Sequence, residues 1–192
     1  MECRQCQGIE VVFDQKSVQK DLEKYRKKGP SKTTRILIDF LKTEDIKGKT
    51  VLDIGGGVGA IQHELLKNGM SEAISVDASS AYIEASREEA ERQGFADRIV
   101  FFHGDYVELA PRIPDADVVC LDRVICCYHD MEKLIENSIS HARKYLALIY
   151  PPDSWWMKFG CTMINLYEKI TRSDYRAYVH SKKAIHRLIR AH

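Results

Sequence analysis

Between Val51 and Ala60 the chain reads VLDIGGGVGA, four glycines within five residues, set between a short apolar run and a stretch with helical spacing. Glycine reaches positive φ without strain and, lacking Cβ, lets a ligand approach the main chain, while a helix N-terminus just beyond presents free N–H groups. The turn fits a nucleotide or nucleotide-like ligand. It also commits the chain to strand, turn and helix in close succession.

The rest of the chain follows that lead. Strand-like runs fall at Thr50 to Ile54, Ala73 to Val76, Ile99 to Phe102, Ala116 to Leu121 and Leu146 to Tyr150, with helical periodicity at Ala60 to Asn68, Ala81 to Gln93 and Met131 to Tyr145. Such alternation predicts an α/β fold, a Rossmann-like doubly wound sheet of at least five parallel strands. Two helices, Lys16 to Lys27 and Lys32 to Lys42, precede it, parted by a Gly-Pro-Ser break that supplies a Ser N-cap. At 192 residues the chain reads as one domain: an N-terminal helical cap over 1–48, a cofactor-binding core over 49–150 and substrate-covering helices over 151–192.

Two cofactor classes suit the turn. Gly55-x-Gly57-x-x-Ala60 satisfies the dinucleotide fingerprint, with Asp77 where its acidic ribose partner is expected. Asp53, however, would set a fixed negative charge against a pyrophosphate, and it attracts instead a cofactor with a cationic amino-acid end, such as S-adenosylmethionine. Asp77 ends the second strand, suited to the ribose hydroxyls, and Asp105 the third, placed for an exocyclic adenine amine. Ligands of open α/β sheets bind at that carboxyl edge.

On these motifs, VLDIGGGVGA, SVDAS, GDY and ADVVCLDRVICCY, residues 49 to 150 resemble the class I S-adenosylmethionine-dependent methyltransferases. The resemblance implies cofactor contacts from Asp53, Gly55, Gly57, Asp77, Ala78, Asp105, Tyr106 and Asp122 or Arg123. It also implies a sixth and an antiparallel seventh strand, a hairpin expected to be missing because the chain stops at His192. Regional similarity extends to methyltransferases of quinone and tetrapyrrole biosynthesis, which does not choose between O, N, C and S acceptors. A catalytically silent or partner-activating cofactor-binding protein and a nicotinamide-dependent oxidoreductase are the alternatives.

His129, just beyond the fourth strand, is the leading candidate base, its ordinary pKa of ~6.5 suiting neutral pH, with Tyr128 and His180 behind it. The aromatic run Trp155, Trp156, Phe159, Met163 and Tyr167 is expected over the site, favouring an apolar or aromatic small-molecule acceptor. Tyr25, Arg26 and Lys28, before the Gly-Pro hinge, suggest a lid. Cys3 and Cys6 have half-zinc-site spacing and Cys126, Cys127 and His129 cluster elsewhere, but the expected state is reduced thiols and no metal. A formal charge of +1 with interspersed signs argues against a nucleic-acid partner. Without an apolar run of ~18 residues or an export signal, the expectation is a cytoplasmic protein off the membrane, monomeric or homodimeric.

Overall fold

The computed structural model describes residues 4–191. Three helices lead: α1 (Arg4–Val12), α2 (Gln15–Lys28) and α3 (Lys32–Thr43). Then strands and helices alternate: β1 (Thr50–Ile54), α4 (Ala60–Lys67), β2 (Glu72–Asp77), α5 (Ser80–Gln93), β3 (Ile99–His103), the short α6 (Tyr106–Leu109), β4 (Ala116–Asp122), α7 (Met131–His141) and β5 (Ala142–Ile149). Helices α8 (Trp155–Ile170) and α9 (Lys182–Ala191) follow.

All described strands pair in parallel, in the order β3-β2-β1-β4-β5. The chain reverses direction across the sheet between β1 and β4, the switch point at which such sheets open a crevice beyond their carboxyl ends. Alternation along the strands splits the core in two. Leu52, Ile54, Val76, Val119 and Leu121 face Leu134 and Ile135 of α7 and Ile185 of α9. Val51, Ala73 and Val118 face Leu37, Ile38 and Leu41 of α3 and Leu65 and Leu66 of α4.

The N-terminal helices are docked, not solvated. Val18 and Leu22 of α2 pack on Ala81 and Ala85 of α5, and Arg26 reaches Glu88 and the fully buried Glu89 at 2.9 and 2.8 Å. The Ser31 cap forms as its residue type dictates, accepting from the Thr34 N–H.

Two elements differ from the sequence expectation. The helix expected through Tyr145 stops at His141, and β5 begins at Ala142, where Ala116 pairs with Ala142 and Val118 with Tyr145. Ladder pairing in the sheet outweighs the helical propensity of Ala-Arg-Lys. Helix α1 was not anticipated, since its apolar positions are few; it is held by tertiary contact, with Gly8 so close to Tyr175 that a Cβ there would lie 2.1 Å from its backbone nitrogen.

Candidate functional site

A cavity of about 490 Å³ opens at the carboxyl edge of the sheet over the switch point, within the size range of small-molecule sites. Its floor is the glycine turn with the ends of β1, β2 and β4, and its roof includes Cys6 and Ile9 of α1, Phe13 after it, and Tyr25 of α2. Of the residues expected to hold a cofactor, Asp53, Gly55, Gly57, Asp77, Ala78, Asp105, Tyr106, Asp122 and Arg123 all border this one cavity.

Asp53 is the anomaly of the site. It is only 1% exposed, and neither carboxylate oxygen has a hydrogen-bond partner among the described residues. Burial, then the neighbouring Asp122 charge, pushes its carboxyl up to about 8; the Gln62 N–H relieves it in part without meeting hydrogen-bond geometry. An unpaired buried carboxylate costs several kcal/mol, on the order of 1–3 even for a neutral polar group. A cation delivered through the cavity would remove that cost. The glycines keep the way open: a Cβ on Gly56 would stand 2.8 Å from Asp53 Oδ2. Gly59, at φ +78°, opens α4, where a Cβ would meet Ser86, His63 and Gln62 side-chain atoms at 2.5–2.7 Å.

Asp77 is held differently. Its two oxygens accept from the Gly57 N–H at 3.0 Å and the Ser79 N–H at 2.9 Å. Burial pushes it up to about 6, against the pull of those two donors. Each oxygen keeps a lone pair for a hydroxyl. Asp122 at the end of β4 accepts from Thr34 Oγ1 at 2.5 Å and pairs with Arg123 Nε at 2.9 Å. Arg123 sits at φ 63°, a left-handed conformation costly for a side-chain-bearing residue, which turns the chain sharply out of the strand.

Asp105 is more fully engaged. It caps α6 through the Val107 N–H, accepts the Tyr128 hydroxyl at 3.0 Å on both oxygens, and has Cys6 Sγ 3.8 Å from Oδ2. Tyr128 is thus tied to the third-strand end instead of standing free as a proton acceptor. Tyr106 borders the cavity, but its hydroxyl turns into the core, 2.7 Å from His141 Nδ1.

Neither candidate histidine lines the cavity. His129 is exposed and off the cavity, because the 3-10 turn over Ile125–Cys127 points the chain away from it. Asp130 caps α7, accepting from the Lys133 N–H. His180 also lies off the cavity, its Nε2 2.9 Å from the Tyr128 carbonyl oxygen, where it positions that loop. No histidine is among the cavity-lining described residues.

The thiols fall into two places. Cys6 is buried beside Asp105, and Cys3 lies outside the described residues. Cys126 and Cys127 line the cavity with sulfurs 3.8 Å apart, and Tyr175 Oη stands 3.3 Å from Cys127 Sγ. The hydrogen bond from Cys126 pulls the Cys127 thiol below its ordinary value. Among the described residues no group of three His, Cys, Asp or Glu is placed to hold a metal ion.

The aromatic run does not cover the site. None of α8 lines the cavity, and Trp155 is 80% exposed; the cover comes from α1 and α2. Thr34 and Phe13, which sequence reasoning did not single out, line the cavity as well and carry no local motif that would have flagged them. No helix of the described residues is long and apolar enough to cross a membrane.

Comparison with known proteins agrees with this geometry. Residues 45–180 match the family model described as a methyltransferase domain. Over 74 residues the chain is 39% identical to the ribosomal protein L11 methyltransferase of Escherichia coli, a match covering 38% of this chain and 25% of that one. The chain therefore aligns with about a quarter of the length of the curated relatives it matches. Magnesium protoporphyrin IX methyltransferase from Synechocystis PCC 6803, crystallised with bound SAH, shares the fold at a TM-score of 0.67 and 20% identity, over 83% of this chain and 70% of that one. An O-methyltransferase family protein from Burkholderia thailandensis does so at 0.68 and 14%, over 94% and 55%.

Proposed function

Because this chain belongs to the methyltransferase-domain family, we propose that it transfers a methyl group from S-adenosylmethionine to a small, apolar or aromatic acceptor held in the cavity. The observation that carries the reading is Asp53: a buried carboxylate without a partner, facing a cavity that ends in a glycine turn. The α-ammonium of the cofactor is the partner it lacks. The Gly55 and Gly57 main chain gives that end room, Asp77 accepts from the ribose hydroxyls beside Ala78, and the adenine lies towards Asp105 and Tyr106. Asp105 already accepts from Tyr128, so adenine recognition there involves a shift of that hydroxyl.

When bound, the cofactor supplies a sulfonium methyl whose leaving group is a neutral thioether. The protein's part is then alignment and the exclusion of water more than strong base catalysis. Thr34 and Arg123 hold Asp122 at the mouth of the fourth strand. The apolar side chains of Ile9, Phe13 and Tyr25 over the cavity favour an apolar acceptor.

The test is transfer of isotopically labelled methyl from S-adenosylmethionine into a cell extract separated into small-molecule, protein and RNA fractions. Label in the small-molecule fraction supports the reading. Label confined to protein or RNA contradicts the acceptor class, and no transfer with nicotinamide-cofactor binding contradicts the chemistry.

A further inference from the structure

Helix α8 buries none of its residues. Trp155, Trp156, Phe159, Met163, Tyr167 and Ile170 are each between 49% and 80% exposed. At about 100° per residue they fall on one third of the helix circumference. The opposite side faces the protein: Asn165 exchanges two hydrogen bonds with Ala177, at 2.8 and 2.7 Å, and Cys161 is part-buried. The apolar stripe therefore points straight outward. Lys158 and Lys169 are exposed along one edge of it.

Charge is divided just as sharply along the chain. Residues 151–192 carry eight Lys and Arg against three Asp and Glu, net +5, whereas residues 1–150 carry twenty-one against twenty-five, net −4. On α9, Lys183, His186, Arg187 and Arg190 share one exposed face. A near-neutral total hides this asymmetry.

We propose that α8 is an interfacial helix that docks this protein on an anionic lipid surface, its aromatic stripe in the headgroup region and Lys158 and Lys169 beside it against lipid phosphates. Tryptophan and tyrosine suit that boundary, apolar in body and polar at one end, and cationic residues beside an apolar face are what bind a helix in the plane of a membrane. Self-association fits less well, since a symmetric contact through α8 would bring two segments of like charge together. Nucleic acid fits less well too, because the outward surface itself is apolar and the cations lie at its margin. Docking would reach the cavity: beyond α8 the chain packs Tyr175 against Gly8 of α1, and the Tyr178 N–H donates to the Cys126 carbonyl oxygen of the cavity wall.

Trp155 and Trp156 are the only two tryptophans in the chain, so tryptophan emission, excited at a wavelength that tyrosine does not absorb, reports α8 alone. The protein is mixed with phosphatidylcholine vesicles with or without about a quarter phosphatidylglycerol, and emission and co-sedimentation are followed. Expected are a shift to shorter wavelength and pelleting with the anionic vesicles, reversed by high salt. The pair Phe159→Ser and Ile170→Ser should weaken vesicle binding at least tenfold with an unchanged melting curve, which separates lost docking from lost folding. Emission that stays at the solvent-exposed wavelength with both vesicle types overturns the proposal. So does a dimer whose tryptophans are already shielded without lipid, or RNA binding without vesicle binding.

Discussion

Asp53 and α8 break the same rule of protein surfaces in opposite directions. One is a carboxylate sealed inside without a hydrogen bond among the described residues; the other is an apolar and aromatic stripe left mostly exposed. Each costs free energy in the isolated chain, and the sign of the mismatch names what would relieve it: a small cation for the first, an apolar surface for the second. The two regions are also tied into the fold differently. Asp53 lies on a strand paired on both sides, whereas Asn165 ties α8 to Ala177 through two hydrogen bonds.

The sharpest way to break this contrast is Asp53→Asn, which should weaken binding of S-adenosylhomocysteine about 100-fold or more, on the scale of removing one partner of a buried charge pair. Its effect on stability runs the other way. The folded-state carboxyl is raised from 3.8 to about 8, so the folded chain holds its proton more tightly than the unfolded one and stability falls as pH rises across that window. At pH 8 the Asn variant should therefore melt at least ~3 °C above the parent, and no difference should remain near pH 4. A variant that binds normally, or is less stable at pH 8, would remove Asp53 from the account.

Gly59→Val should come next. With φ +78° and three side-chain atoms within 2.7 Å of its Cβ position, it should cost about 2–3 kcal/mol by denaturant unfolding. Asp77→Ala should lower cofactor affinity about tenfold, as expected for loss of a charge-assisted hydrogen bond to hydroxyls, and a full-affinity variant would end the ribose assignment. The smallest effect is expected at Trp156→Ser, within about 0.5 kcal/mol of the parent in stability, since more than half of the residue is already exposed. A large loss there would mean that α8 is buried in solution.

What the sequence made legible follows the same division. The glycine run and the aspartates at three strand ends were readable because strand, turn and helix impose local spacing, and parallel topology then brings Asp53, Asp77 and Asp105 to one edge. The start of β5 was not readable, since Ala142 to Tyr145 suits a helix until β4 offers a ladder. The α8 stripe was visible as periodicity, but periodicity does not say which way a face points. His129 and Cys127 show the limit at its finest: two residues apart, one lines the cavity and the other is in solvent, decided by a single 3-10 turn. The Cys126 contact that acidifies Cys127 likewise depends on that turn.

The central claim is that Asp53 waits for the cationic end of the cofactor, and calorimetric titration with S-adenosylhomocysteine tests it most directly. The titration runs from about pH 6 to about pH 7.5 in buffers of different ionisation enthalpy. Because the free carboxyl stands at about 8, an arriving ammonium must pull it down. Affinity should then rise close to tenfold per pH unit, with nearly one proton released per complex. Affinity that stays flat across this range, with no proton released, would contradict it.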